Sequence, residues 1–535
     1  MCNNSDIVLI NPPLWYYQSI PIDLIYAAYQ LDKHNLKYDI RDLNLEVLNY
    51  FFSKYDAEIC SVLISENKFF DINKLQECYC KIRSVFGCIS KLISPNQINI
   101  NYFKVQEDVR KLCEIENVLS NRSQNPFIDF FEKILPSIVK KNLKFVAFSL
   151  YHPDQIIPLL TLCKMIKKQK STIKIHIYGN LEDQIGTKIL FKNIDKKTEA
   201  ELKKYFDSIS FGASHRHIAE IYYDSISVEN RLYKTLNKYN YEDIDIFSIS
   251  DSLLKRLPKS NFMPNDILNV IGSVGCYWGD CNYCSIQSHS KYKKNRIENI
   301  LDMLRIIHKN NSYFVVRFRD CCISPYDLDK IADGIISSGI NLKWCCRARL
   351  EKKFNRELFT KLKNAGCIML SFGIESFHPK TNDNMNKGID VSKSYQIIKE
   401  CYESGIAVKL TAIYGFPTET YEQSIYNLQQ LCDIAKYCID IKLNKFLLFD
   451  NTNISDAPEK YGIKKIPYSK SQKLHFICDY ENVVAEDEEE SKVISRYIEK
   501  LEKYFDYFIS EEHLLLYLKE YGIDKCMKYI HGTNI

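Results

Sequence analysis

The strongest constraint on the fold of this chain is an alternation of strand and helix that runs through the sequence twice. Ile7 to Asn11 is a short apolar run closed by Pro12-Pro13. Pro21 to Leu31 places Leu24, Ala27, Ala28 and Leu31 at helical spacing, and Lys37 to Leu43 alternates as a strand does. The pattern resumes at Phe145 to Leu150, continues through a helix near Asp154 to Lys168, and reaches strands at Ile173 to Tyr178 and Ser208 to Phe211. Alternation of this kind predicts a doubly wound parallel sheet, a Rossmann-like α/β unit over 1–225. Within it, about 50–140 is polar, aromatic and without strand periodicity, which predicts a helical insertion. Residues 226–262 are poorly periodic and read as a linker.

A second series follows over 263–450. Candidate strands are Ile267 to Val274, Tyr313 to Phe318, Leu342 to Cys346, Cys367 to Phe372, Val408 to Tyr414 and Ile441 to Leu448. Helices are expected at Arg296 to His308, Leu328 to Ser338, Arg356 to Ala365 and Val391 to Glu403, the last stopped by Gly405. Such repeats predict a full or partial (β/α)6 barrel, whose sites lie where strands end and loops begin. Residues 451–535 read as mostly helical, with the acidic run Glu486 to Glu490 suited to the positive end of a helix.

The chain has 535 residues, too many for one ordinary core, and its 46% hydrophobic and 26% charged content suits a folded protein. A net charge of +5 without a concentrated basic stripe argues against nucleic acid as partner. The stretch Lys291-Tyr292-Lys293-Lys294 reads as a solvated loop or an attraction for an anionic substrate. No apolar run is long enough to span a membrane, and the start has no basic segment ahead of Ile7-Val8-Leu9-Ile10. The expectation is a cytoplasmic protein. Most of the twenty cysteines, among them Cys60, Cys163, Cys367, Cys401 and Cys432, sit singly in apolar surroundings, as reduced core thiols do. His215 and His217 have no spaced partner for a metal and read as a solvated helix start.

One cysteine group differs. Gly275-Cys276-Tyr277-Trp278-Gly279-Asp280-Cys281-Asn282-Tyr283-Cys284 puts three thiols on one loop directly after the first strand of the second series. Three thiolates can hold three irons of a [4Fe–4S] cluster and leave the fourth open. A zinc site, with His289 as fourth ligand, is the alternative. In this position the segment resembles the radical S-adenosylmethionine (SAM) enzymes, with four residues rather than three between the first two cysteines. The resemblance implies that Cys276, Cys281 and Cys284 bind the cluster and that the open iron takes SAM's methionine end. It also implies that Tyr283 lies near the adenine. Phe318-Arg319-Asp320 resembles a strand end of that family with an acidic residue near the site, here Asp320. Trp344-Cys345-Cys346-Arg347-Ala348-Arg349 is similar to the third-strand segment whose arginine, Arg349, lies near SAM. Ser371-Phe372-Gly373-Ile374-Glu375-Ser376 is similar to the fourth-strand motif whose glutamate, Glu375, contacts SAM. Met385-Asn386-Lys387-Gly388 and Gly415-Phe416-Pro417-Thr418-Glu419-Thr420 complete the resemblance. The stretch from Gly415 is similar to the turn whose backbone holds the adenine.

The N-terminal unit resembles the cobalamin-binding domain that precedes the barrel in one branch of that superfamily. The features that carry this are Asn11-Pro12-Pro13, Asp42-Leu43-Asn44, Phe148-Ser149-Leu150 and Tyr178-Gly179-Asn180, with Asn11, Ser149 and Gly179 as candidate cofactor contacts. No Asp-x-His-x-x-Gly run is present to supply a histidine to cobalt. The resemblance implies reductive cleavage of SAM with a ferredoxin- or flavodoxin-type reductant, and cobalamin-assisted methylation of an unactivated carbon in a peptide or small-molecule natural-product intermediate. Cobalamin-independent cyclisation, rearrangement or epimerisation is the alternative, as is a non-catalytic metal protein on the same scaffold.

Overall fold

Both alternating series fold into six-stranded parallel sheets. The structure, a computed structural model, describes residues 5–13, 20–55, 72–99, 102–107, 111–179, 194, 196–212, 217–227, 237–241, 249–258, 267–286, 291–310, 315–466, 477–482, 487–505 and 511–532. Cys60, Asn180, His215 and His289 lie outside these residues. The chain divides into two units, residues 1–265 with 469–476, and residues 266–468 with 477–535.

In the first unit the strands are β1 (Ile7–Asn11), β2 (Tyr38–Asp42), β3 (Phe145–Ser149), β4 (Lys174–Tyr178), β5 (Ser208–Gly212) and β6 (Asn237–Tyr241). Their order is β2-β1-β3-β4-β5-β6, all parallel. β1 and β3 are buried along their whole length, which is why both read as continuous apolar runs rather than alternating ones. Burying each of Ile7 to Ile10 is worth roughly 1.5–3 kcal/mol. The chain moves outward from β1 to β2 and then crosses to β3 on the other side, so the sheet reverses direction between β1 and β3. Ligands of open α/β sheets sit at that reversal, beyond the carboxyl ends of the strands.

Between β2 and β3 lie helices Leu43–Tyr55, Ile72–Leu92, Leu112–Val118 and Phe127–Ile138, around packed rings of Phe51, Phe86, Phe103 and Phe127. The insertion also holds a short hairpin, Gln97–Ile98 with Phe103–Lys104, whose two-residue strands are too brief to show a period. The stretch read as a linker is structured where it is described. Asn237–Tyr241 forms edge strand β6, and Asp251–Arg256 is a helix anchored by Arg256 to Asp32 and the Tyr38 hydroxyl. β6 lies at the edge of the sheet, and its sequence, Asn-Lys-Tyr-Asn-Tyr, is polar. His217, read as part of a solvated helix start, pairs with Glu220 in the first turn of helix Ile218–Ser227.

In the second unit the strands are β7 (Ile267–Val270), β8 (Val315–Phe318), β9 (Lys343–Ala348), β10 (Cys367–Glu375), β11 (Ala407–Tyr414) and β12 (Asp440–Lys445). Sequence order is spatial order, all parallel, with a helix in each crossover. This is the partial (β/α)6 barrel expected. Helix Val391–Glu403 begins at N-cap Asp390 and stops before Gly405, whose φ of 79° a side chain would resist. Two further helices, Glu488–Tyr504 and Glu511–Gly532, follow. The first starts where the acidic run does, with Asp487 accepting from the backbone N–H of Glu489 and Glu490.

The last helix is held to the sheet by charge. Glu511 accepts from Lys409 of β11 at 2.8 Å and from Arg317 of β8 at 3.3 Å, and Lys409 also meets Asp440 at 2.9 Å. Burial works against the Lys409 ammonium, but Glu511 and Asp440 together carry its pKa above the ordinary lysine value. Removing Glu511 takes away a counter-charge that the buried Lys409 and Arg317 share. Glu511→Ala should therefore cost about 3 kcal/mol and lower the melting temperature, whereas Glu488→Ala on the exposed preceding helix should leave it within about 0.5 kcal/mol of the original.

Candidate active site

The three-cysteine loop leaves the carboxyl end of β7, and its start is fixed by β8. Asp320, buried just past β8, accepts from the Gly272 backbone N–H at 2.9 Å and the Ser273 hydroxyl at 2.6 Å. Burial raises its pKa to about 6 against those two donors. Ser273–Val274 then pairs antiparallel with Lys293–Lys294, and Lys294 meets Asp327 at 2.7 Å, so the basic stretch is partly committed to framing the loop. Asp320 thus aims the strand end from which the cysteines depart.

Cys276, Cys281 and Cys284 are all partly buried, and no described cysteine is in a disulfide. The thiols are not equivalent. A contact with the Cys322 thiol at 3.3 Å lowers Cys276 to about 6 against burial, helped by the backbone of Gly279 and Trp278. Burial raises Cys281, and raises Cys284 to about 12. Among the described residues no three His, Cys, Asp or Glu side chains surround a single metal ion. His289, the fourth ligand that the zinc alternative would use, lies outside the described residues.

The loop is stitched to the turn Met385-Asn386-Lys387-Gly388. Asn282 donates its backbone N–H to Met385 O at 2.9 Å and its amide to Asn384 O at 2.8 Å. Asn386 reaches back to Asp280 O at 2.7 Å, and the Trp278 indole donates to Asn386 O at 3.0 Å. Gly388, at φ 66°, lies under the Trp278 ring, and a Cβ there would stand 2.0 Å from it. Arg349, just past β9 and 4% exposed, donates to Lys387 O at 2.6 Å and sits 4.4 Å from the Trp278 ring. Arg349 Nε also lies 3.4 Å from the Glu351 carboxylate.

Glu375 closes the arrangement. It ends β10 at a register irregularity beside β11 and has φ 60°, a strained value for a side chain. Its carboxylate accepts from Lys387 Nζ at 2.8 Å, and both residues are buried. Burial penalises the Lys387 ammonium, but Glu375 and then Cys281 carry its pKa above the ordinary value. Gly373 makes room for the pair, since a Cβ there would come within 2.4 Å of the Glu375 carboxylate. Tyr283 packs beside Met385 and Phe416, with its hydroxyl 3.5 Å from Lys387 Nζ. Gly415, at φ 69°, opens the turn after β11 with clear space at its Cα, and that turn ends in the Thr420 N-cap of helix Tyr421–Ile434.

In the first unit, Asn11 and Ser149 sit at the β1/β3 reversal. Asn11 donates to Asp42 at 2.9 Å and accepts from Gln155 at 3.2 Å; Gln155 also donates to Pro12 O and accepts from the backbone of Tyr151 and His152. Ser149 donates to Ile10 O at 3.4 Å. Gly179 passes so close to Leu150 that a Cβ would lie 2.5 Å from its carbonyl oxygen. These three residues shape the carboxyl edge of the sheet. Both ring nitrogens of buried His176 are engaged by Ser208 and Ser210, and His152 is held in its own turn by Asp154.

The structure brings Cys276, Cys281, Cys284, Tyr283, Arg349 and Glu375 together in one unit, and Asn11, Ser149 and Gly179 together in the other. Sequence reasoning missed Lys387 as the partner of Glu375, Cys322 as the neighbour of Cys276, and Gln155 as the tie between strand ends. Lys387 stood within a motif already singled out; the other two carry no local signal.

Residues 270–428 match the model of the Radical SAM superfamily, so this part of the chain is a radical SAM domain. An uncharacterized methyltransferase of Pyrococcus horikoshii is 27% identical over 233 residues, 42% of this chain and 49% of that protein. The bacteriochlorophyllide d C-12(1)-methyltransferase of Chlorobaculum tepidum is 21% identical over 163 residues, 29% of this chain and 35% of that one. The chain thus spans about half or less of these relatives' lengths. Among solved structures, the radical SAM methyltransferase TsrM of Kitasatospora setae, with cobalamin and a [4Fe–4S] cluster bound, matches with a TM-score of 0.58 at 10% identity. That match covers 99% of this chain and all of the other. The cobalamin-dependent SAM radical enzyme OxsB matches with a TM-score of 0.54 at 10% identity, over 96% and 72% of the two chains. At such identity these structures establish a shared fold.

The Gly388–Trp278 contact gives a direct check on the clamp. Gly388→Ala would force the ring aside at a backbone angle alanine resists, so it should destabilise the second unit by about 1–3 kcal/mol and shift the tryptophan emission. Gly462→Ala, also at positive φ but in open space, should leave the emission unchanged.

Proposed function

We propose that this chain is a cobalamin-dependent radical SAM methyltransferase acting on an unactivated carbon of a peptide or natural-product intermediate. The observation that carries the reading is the three-thiol loop clamped beside a buried Glu375–Lys387 pair, at the carboxyl ends of a parallel barrel sheet. Such loops are where barrels of this kind build their sites. Structural metal binding would need neither the strained Glu375 nor the buried Arg349.

The donor set suits the cofactors. Cys276, Cys281 and Cys284 would each hold one iron and leave the fourth open. When bound, the cluster supplies the electron for reductive cleavage of SAM, and a corrinoid supplies a methyl carrier. Glu375 Oε atoms would accept from the ammonium or a ribose hydroxyl of SAM, and Lys387 holds that carboxylate in place. Arg349 holds the turn that carries Lys387, and Asp320 holds the loop's origin. Tyr283 and the backbone at Gly415 line the adenine side. Asn11, Ser149 and Gly179 would present the strand edge to a corrinoid, and no Asp-x-His-x-x-Gly run is there to offer it a histidine. The electron comes from a ferredoxin- or flavodoxin-type partner, and the reduced thiols suit the cytoplasm. Among the described residues no helix is long and apolar enough to cross a membrane.

Anaerobic reconstitution with iron, sulfide and hydroxocobalamin, followed by gel filtration, tests the reading. About four irons per chain and one corrinoid, bound with its own base displaced, should be retained. Single alanine substitutions at Cys276, Cys281 and Cys284 should each abolish intact cluster assembly while sparing corrinoid binding. Stoichiometric zinc without iron would sink the proposal. Iron retained without corrinoid would remove the methyltransferase assignment and leave corrinoid-independent radical chemistry.

A further inference from the structure

Cys322 stands outside the three-cysteine loop, yet its sulfur lies 3.3 Å from that of Cys276. The position is built rather than accidental. Cys322 is 5% exposed. Two residues earlier, Asp320 ties the backbone to Gly272 and Ser273. One residue later, Ile323 donates its N–H to Arg347 O at 2.9 Å and bridges to Ala348. Two neighbouring strand ends therefore fix the segment on which this thiol sits, while Asp320 also fixes the origin of the cysteine loop.

We propose that Cys322 is a positioning residue for the cluster: its thiol donates a hydrogen bond to the iron-bound sulfur of Cys276 and raises the cluster's reduction potential. The inference rests on the reading of Cys276 as an iron ligand. Of the two sulfurs, either could donate when both are thiols. A metal-bound cysteine has lost its proton, so Cys276 can then only accept, and the donor has to be Cys322. Hydrogen bonds to ligating sulfurs are among the levers that set iron–sulfur potentials. The direction follows from charge: a reduced cluster carries one more electron, so a donor beside its sulfur stabilises that state more than the oxidised one. A substrate chemistry that begins with electron delivery to the cluster is sensitive to this setting.

A redox titration of the reconstituted full chain, followed by electron paramagnetic resonance of the reduced cluster, tests the role. Cys322→Val keeps bulk and removes the donor, and Cys322→Ser keeps a donor. All three proteins should hold about four irons. Cys322→Val should shift the one-electron reduction equilibrium about tenfold toward the oxidised cluster, a fall of about 59 mV, and Cys322→Ser should recover most of it. Cys322→Ala provides another donor-free variant should valine prevent folding. An unmoved midpoint in a folded, iron-loaded donor-free variant overturns the proposal. Loss of iron from the valine and serine variants alike would make Cys322 a ligand itself and overturn it equally. A wild-type chain that takes up no iron would instead sink the cluster reading beneath it.

Discussion

The Glu375–Lys387 ion pair is the contact on which the rest of the site depends. Its side chains are only 11% and 10% exposed, so each charge is costly without the other. The pair brings the end of β10 against the turn after it, and it exists only because Gly373 has no Cβ to occupy the carboxylate's place. Lys387 in turn presents its carbonyl to Arg349 from the end of β9. Arg349 lies over Trp278, and Trp278 covers Gly388. The cysteine loop is thereby fastened to two strand ends beyond its own. A buried pair is weak support for stability by itself. Here its value lies in geometry, since it holds a strained carboxylate at one orientation beside three thiols.

The first unit solves a similar problem with hydrogen bonds around one buried carboxyl group rather than with an ion pair. Asn11, Gln155 and Asp42 join the ends of β1, β2 and β3 through amide and carboxylate hydrogen bonds, each worth about 1 kcal/mol net but costly to leave unmade. Asp42 also receives the backbone N–H groups of Asn44 and Leu45, so it caps the helix that starts at Leu43. The result is an ordered carboxyl edge at the sheet reversal, the place where open α/β sheets take ligands. That edge is shaped in part by the close approach of Gly179 to Leu150.

Much of this was legible in the sequence, for identifiable reasons. Ile7–Asn11 and Phe145–Ser149 are buried on both faces and so stood out as apolar runs. Helix Val391–Glu403 showed its period and its glycine stop because one face is solvated. The cysteines stood out by spacing alone. By contrast, β6 was hidden by the polarity of an edge strand, and the 97–104 hairpin by its brevity. Residue roles set by distant contacts were least visible. Asp320 was expected near a cofactor, and that its oxygens hold Gly272 and Ser273, forty-odd residues back, could not be read from its own segment. The pairing of Cys276 with Cys322 spans 46 positions and leaves no trace in either segment.

The central claim is that the thiol loop and the Glu375–Lys387 pair form one site for SAM. The measurement that tests it most directly is calorimetric titration of SAM into iron-loaded wild type, iron-free wild type and iron-loaded Glu375→Gln. The account predicts that binding is tightest in the first, weaker without iron, and weakened by roughly 1.5–3 kcal/mol in the glutamine variant, the worth of a hydrogen bond to a charged group. Equal affinity in all three would contradict it, because neither the cluster thiolates nor the strand-end carboxylate would then be part of the SAM site.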